Sequence, residues 1–524
     1  MSIPSRAPAS SSLALPFPLI PKLSLLLSLG FLLFAVGCGS DHNSVNGPYS
    51  TASLKGSYVV RLAGHGTFLD SNNNLQSEEY TEVLTFTADG SGSLNGVEDF
   101  NSSLPASGFT PGTAFTGSYQ INRDGNGIMQ INFSAPASGQ INLSITLISS
   151  TSFYVVEADG FNNFSANASG EGRKQDTTAL VAPTGTFITR VHQLIPNAVS
   201  SATVGALTST NGTTVTGTID VMDNNSLFPQ LTLTAGAFTA PDANGRGTLV
   251  YTDSTNITTN YRYYVIDASN FWLMGSDSTI LGTGSAEKQA TGNLALSGNY
   301  AFGTSGDTDA NNLAARSVGV FSANAGAIQF GALDSVQDGV STFDQAFTGT
   351  YTQNGARVDA TFTPTGGTPI QEIFWMVSPS RAFVLVGDIH RVEDGTLDLQ
   401  QKNTFSNSDL NSQFAYALVM EGFTGFSPQV LLTRVGTLAA DGNGNLNLLE
   451  EANSFEWGNP PGLINDPGTL SGNYQVRSDG RVLAAVDTLS SNLVLYMVSP
   501  GKAYILQNDS DVEISGRISL QTSP

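Results

Sequence analysis

Cysteine is almost missing from this chain of 524 residues: there is one, Cys38. Without a second thiol there is no intramolecular disulfide, and the zinc and redox sites built on paired cysteines are excluded too. Basic residues are scarce. Lys+Arg number 21 against 43 Asp+Glu, a formal net charge of −22, and no basic patch offsets a field that repels polyanions. Nucleic acid is therefore not an expected partner. Charge of either sign is thin, at 12% of residues, which excludes an acidic disordered tail and a coiled coil. The 4 histidines (His42, His65, His192 and His390) come without a Gly-x-Ser-x-Gly elbow or a His-Glu-x-x-His pattern. They read as surface residues on loops, and an envelope hydrolase acting on glycan or peptide is left as the least supported class.

Glycine is plentiful, with 55 residues, and 40% of the chain is hydrophobic, a composition of many short strands and turns rather than long helices. Long apolar runs are absent. The longest, Leu23 to Phe34, has the length of a signal-peptide core and is too short to cross a bilayer comfortably. Lys22 and Arg6 precede it, and Ala35-Val36-Gly37 ends it in small residues. Met1 to Ile20 is long and proline-bearing for the segment before such a core, which points to a start codon further downstream.

Ala35-Val36-Gly37-Cys38 resembles the lipobox of bacterial lipoproteins, with Ala35 standing where Leu is commoner. The resemblance implies that residues 1–37 are a lipoprotein signal peptide and that Cys38 is lipidated and becomes the mature N-terminus. Acyl chains there would anchor the protein firmly, at about 0.8 kcal/mol per buried methylene. Gly39 in place of Asp implies an outer-membrane destination, lipid-anchored and facing periplasm or surface. Residues 38–51 read as a flexible polar tether.

The rest repeats itself. A Gly-x-aromatic signature opens four units: Gly56-Ser57-Tyr58, Gly185-Thr186-Phe187, Gly298-Asn299-Tyr300 and the variant Ser412-Gln413-Phe414. It recurs mid-unit as Gly117-Ser118-Tyr119, Gly236-Ala237-Phe238, Gly349-Thr350-Tyr351 and Gly472-Asn473-Tyr474. Each recurrence leads to Asp124-Gly125, Asn244-Gly245, Asn354-Gly355 or Asp479-Gly480. Such dipeptides between alternating runs predict hairpins, with both turn residues at positive φ. Each unit ends in glutamine: Gln175, Gln289, Gln400 and Gln521. The period is one domain in length, and the units are 52–175, 176–289, 290–402 and 403–524.

Each unit reads as about eight strands joined by local hairpins, an all-β antiparallel meander that removes its edges by closing into a barrel. A single β-propeller and immunoglobulin-like sandwiches are the alternatives. The Gly-x-aromatic opening and strand number resemble the calycin plan of lipocalins and avidins, which would imply small apolar ligands in the barrel interiors; a fainter resemblance is to tandem-repeat envelope lipoproteins. The expected role is non-enzymatic: structure, adhesion or multivalent binding of a surface glycan or protein, since linked sites gain avidity.

Candidate sites are few. Glu98-Asp99 and Glu450-Glu451 occupy matching places, but strand neighbours point to opposite faces and cannot converge. Glu157 and Asp159 share a parity and read as a solvated rim. Asp441, Asn443 and Asn445 space oxygens as a calcium loop begins, as do Asp70-x-Asn72-x-Asn74 and Asp307-x-Asp309-x-Asn311, without the glycine and glutamate an EF-hand requires. A structural calcium there is the only cofactor expectation. Trp272 and Trp375, in apolar strand-like runs, read as core, and Trp457, beside Pro460-Pro461, as a residue exposed for ligand contact.

Overall fold

Four sets of strands each pair in sequence order and then close first to last, as local hairpins with no crossovers demand. The computed structural model describes residues 47–524 except 70–74, 104–107, 135–138, 158, 162–163, 195–199, 224–225, 278–279, 309–313, 338–339, 389, 420–429, 457–461, 465–468, 487–491 and 509–512. Barrel I runs from strand Lys55–Leu69 to Phe164–Lys174, barrel II from Gly185–Leu194 to Leu281–Lys288, barrel III from Gly298–Thr308 to Arg391–Leu399, and barrel IV from Asn411–Val419 to Glu513–Leu520. Barrels II and III have eight strands each, while I and IV each carry one extra short strand, Asp159–Phe161 and Gly462–Ile464. These are closed antiparallel barrels, not propeller blades or sandwiches.

The repeat signatures have structural jobs. Tyr58, Phe187, Tyr300 and Phe414 are buried inside their barrels and pair across the closing seam with Lys174, Lys288, Leu399 and Leu520. Gly56, Gly185 and Gly298 have φ of 114°, 106° and 122°, a backbone that favours glycine, whereas Ser412 is not left-handed and needs none. The mid-unit tyrosines reach back to the leucine two residues before the opening: Tyr119 Oη donates to the Leu54 carbonyl at 2.7 Å, Tyr351 to Leu296 at 2.7 Å and Tyr474 to Leu410 at 2.6 Å.

The hairpins at Asp124-Gly125, Asn244-Gly245 and Asp479-Gly480 differ from expectation. Only the glycine is left-handed, at φ 92°, 79° and 93°. Gly125 N–H bonds back to Asn122, Gly245 to Asp242 and Gly480 to Arg477, so the turn spans one residue more and ends in a glycine bulge.

Each interior is filled by an apolar cluster of alternate strand residues, such as Phe302, Phe321, Phe362 and Phe374 in barrel III. A second set of clusters lies outside the barrels and joins them. Val59 and Val83 of barrel I meet Tyr264, Trp272 and Met274 of II. Ile188, Val204 and Met222 of II meet Trp375, Phe383 and Leu385 of III. Val318 and Val320 of III meet Val494, Tyr496 and Tyr504 of IV. Ala415, Ala417 and Val435 of IV meet Tyr154 and Val156 of I. The barrels therefore form a closed ring. Trp272 and Trp375 are buried as expected, but between barrels and not in a barrel core, because their strands are covered on both faces.

The terminal glutamines fasten this ring. Gln175 Nε2 donates to the Asn244 and Val265 carbonyls of barrel II, Gln289 to Met376 of III, Gln400 to Asp479 and Met497 of IV, and Gln521 to Asp124 and Leu147 of I. The following backbone N–H groups add Asp176 to Ile266, Ala290 to Val377, Gln401 to Val498 and Thr522 to Ile148. One device is used four times, the last closing repeat IV onto repeat I. The end of the expected tether belongs to this body: Tyr49 is buried, and its Oη donates to the Thr522 carbonyl at 2.7 Å.

Candidate functional site

The ring axis is lined by the first and last strands of every barrel. Outward positions on these strands alternate with the core residues, so the residue five places after the first residue of each opening signature points toward the axis. Those residues are Arg61, Arg190, Gly303 and Ala417, and register places Glu171, Ser285, Thr396 and Arg517 opposite them. Three arginines and one carboxylate thus occupy eight equivalent positions. Gly303 is required there, since a Cβ would lie 2.6 Å from the ring of Tyr504.

The contacts run from barrel to barrel. Arg61 Nη2 donates to Glu171 Oε1 at 2.6 Å and Nη1 to Ser285 Oγ of barrel II at 2.9 Å, while its guanidinium lies 4.8 Å from the Trp272 ring centre. Arg190 Nη1 lies 3.1 Å from Asp394 Oδ2 of barrel III, and His192 Nδ1 lies 2.7 Å from Asp394 Oδ1. Arg517 Nη2 donates to Thr396 Oγ1 of barrel III at 2.6 Å. Burial opposes ionisation of Glu171, yet Arg173, Arg61 and Arg517 together hold its carboxyl well below the usual carboxylate range. Two residues along, Arg381 joins Glu287 of barrel II to Asp398 at 2.9 and 3.0 Å, and Lys502 of barrel IV lies 2.7 Å from Asp398.

Beside this layer is a cavity of about 160 Å³ lined by all four barrels, including Arg61, His65, Arg190, His192 and Arg517. Burial pushes the His65 imidazole down to about 4, so it is neutral at physiological pH. His65 and His192 are therefore not loop residues on the surface; both sit on first strands, His65 buried and His192 half-buried against barrel III. His390 is exposed in a turn.

The other sequence candidates are not gathered here. Cys38, His42, Trp457, Asp70 to Asn74 and Asp309 to Asn311 lie outside the described residues. Asp441 sits in an exposed turn, where its Oδ1 accepts the N–H groups of Asn443 and Asn445 at 2.7 and 3.0 Å, and its Oδ2 accepts Asn445 Nδ2 at 2.6 Å. Hydrogen bonds from Asn445 and then Asn443 hold that carboxyl down to about 2. The geometry is that of an Asx turn, and no cation is proposed there. Glu98 and Asp99 do face opposite ways. Glu98 is inside barrel I, where burial pushes it up to about 8 despite a hydrogen bond with Glu82. Asp99 faces barrel II, accepting Tyr264 Oη at 2.7 Å and Arg246 Nη1 at 3.0 Å. Glu450 lies inside barrel IV, accepting Tyr416 Oη at 2.7 Å. Glu157 is not a solvated rim residue: it is 2% exposed and accepts the hydroxyl of Tyr80.

Sequence reasoning missed the axial arginines altogether. Their signal, an arginine at the same offset from two opening glycines, is visible once the outward parity of those strands is known to face other barrels.

No protein-family model matches the chain, and no curated protein matches it. Among solved structures, it is similar to intact Ap-TbpB with its N and C lobes, at 8% identity and a TM-score of 0.17 over 71% of this chain and 84% of that one. It is also similar to a double mutant of the vaccine antigen transferrin-binding protein B from Haemophilus parasuis Hp5, at 7% identity and a TM-score of 0.16 over the same shares. Overlap this low carries no argument about activity or partners.

Proposed function

We propose that this chain is a non-enzymatic binding and structural protein of the bacterial cell envelope, held at a membrane by acyl chains on Cys38, that presents its four barrels as one rigid ring. The rigidity is carried by one observation: the glutamine latch joins repeat IV to repeat I through Gln521 as it joins the other neighbours. Four barrels in a closed cycle, each fixed on two sides, cannot act as independently swinging modules, so avidity through flexible linkage does not describe them. The barrel interiors are packed with side chains, which moves any small-molecule site away from the calycin position.

The anchor is tested by labelling cells with a radioactive fatty acid. Label should enter the full chain and be lost in Cys38→Ser; labelling that persists in the variant removes the anchor. The ring is tested by calorimetry of the full chain. One cooperative transition is expected, and several separated transitions would show barrels that melt alone.

A further inference from the structure

We propose that the cavity on the ring axis binds a small solute bearing an oxyanion, a carboxylate or a phosphate. The first support is its sign. In a chain of net charge −22, the described residues of the cavity wall include Arg61, Arg190 and Arg517 against one carboxylate, Glu171, with Asp394 behind Arg190. Positive charge here runs against the composition of the whole molecule.

The second support is unused donor capacity. A guanidinium has five N–H donors. Arg517 commits one to the Thr396 hydroxyl and has no carboxylate at ion-pair distance among the described residues. Arg190 lies against Asp394 Oδ2, but that oxygen accepts no hydrogen bond. Arg61 is paired with Glu171 at 2.6 Å and Arg190 with Asp394 at 3.1 Å through one Nη1, which leaves the rest of the Arg190 fork uncommitted to a carboxylate among the described residues. Two guanidiniums from different barrels thus face one space with donors to spare, and the planar fork of arginine suits bidentate contact with an oxyanion.

The third support is shape and lining. Hydroxyl groups of Thr283, Ser305 and Ser515 complete the polar wall, with Leu62 and Val318 as apolar surface. A cavity of about 150 Å³ holds a molecule the size of benzene, so the space of about 160 Å³ admits inorganic phosphate or a short dicarboxylate and excludes a polymer. Formation of the site needs the ring, since Arg61, Arg190 and Arg517 come from barrels I, II and IV.

The test is isothermal titration of the full chain with sodium succinate, inorganic phosphate and, as a neutral control, glucose. Saturable one-to-one binding of succinate or phosphate is expected, weakened about tenfold by Arg517→Gln and by added salt. The arm that binds identifies the chemistry as carboxylate or phosphate. Should Arg517→Gln fail to show the wild-type melting transition, Arg190→Gln replaces it. Absence of binding by both anions at about millimolar concentration, equal affinity in the folded variant, or equal binding of glucose would overturn the proposal. Fatty-acid labelling at Cys38 is a separate readout, so the site and the anchor fail independently.

Discussion

Three of the four barrel junctions are built alike, and the fourth is not. In the first three a buried aspartate on the third strand faces the next barrel. Asp99 accepts Arg246 and Tyr264. Asp220 accepts Arg357 Nε and Nη2 at 2.9 Å each and Trp375 Nε1 at 2.6 Å. Asp334 accepts Arg481 Nη2 at 2.6 Å and Tyr496 Oη at 2.7 Å. Each aspartate sits at a register shift and also accepts an N–H from its own barrel, from Gly112, Gln230 and Asp344, whose φ values are 73°, 53° and 47°. At the junction from barrel IV to I, Asn126 and Thr146 occupy the places of the arginine and aromatic, and they bond within barrel I. No linker crosses that junction either. All four junctions share the glutamine latch and an apolar cluster, and the IV to I junction has Tyr49 and the Thr433–Asn167 hydrogen bond where the other three have a buried ion pair.

The largest effect should come from removing a junction aspartate. Asp220→Ala leaves Trp375 Nε1 without its acceptor and Arg357 with Asp359 as its remaining carboxylate partner in a buried interface, and breaking a buried pair on one side costs about 3 to 5 kcal/mol. Calorimetry should show a large fall in melting temperature, and a fall no bigger than for surface substitutions would break the contrast between junctions.

Next comes pH dependence, which separates neighbouring residues. Burial raises Glu98 and Glu372 to about 8 from an ordinary carboxylate value of 4.5. A raised folded value means the protonated form is favoured on folding. That contribution is complete below pH 4.5 and is lost progressively as pH rises toward about 8. Denaturant titrations should find that Glu98→Gln flattens part of this decline, whereas Asp99→Asn, one residue on and facing barrel II, lowers stability across the range. Identical pH profiles for the two variants would contradict the inward and outward assignment.

A smaller effect is expected from the latches. Gln521→Ala removes two hydrogen bonds to buried carbonyls and should cost about 1 to 3 kcal/mol. Hydrogen exchange should rise on both sides of the junction between barrels IV and I. Gln400→Ala deletes the same bonds beside an intact Asp334 pair and should open its junction less. The smallest change is Tyr49→Phe, which loses bonds to the Ile148 and Thr522 carbonyls and should cost about 1 kcal/mol.

Much of the fold was legible. Local hairpins leave a meander no cheap way to hide its edges except closure, and alternation in Ile141-Asn142-Leu143-Ser144-Ile145 marks an inner face. The hairpin turns were less so, because Asp-Gly serves both a two-residue turn and a longer one ending in a glycine bulge. The junctions were half legible. Ile373-Phe374-Trp375-Met376-Val377 is apolar on both faces, which requires cover on both, yet the pattern does not say what supplies it. His65, His192 and the axial arginines looked like ordinary surface residues because polar outward positions of a barrel strand are normally wet.

The chain by itself determined four copies of one meander, their order, their inner faces and the lipobox-like cysteine ahead of them, because hydrogen-bonded hairpins and side-chain alternation are local. Only the tertiary structure decided that outward faces meet in a closed cycle and that Arg61, Arg190 and Arg517 converge on its axis. Those contacts join residues from different repeats: the latch glutamines and junction aspartates recur in the sequence, but nothing local to a repeat says which surface they meet.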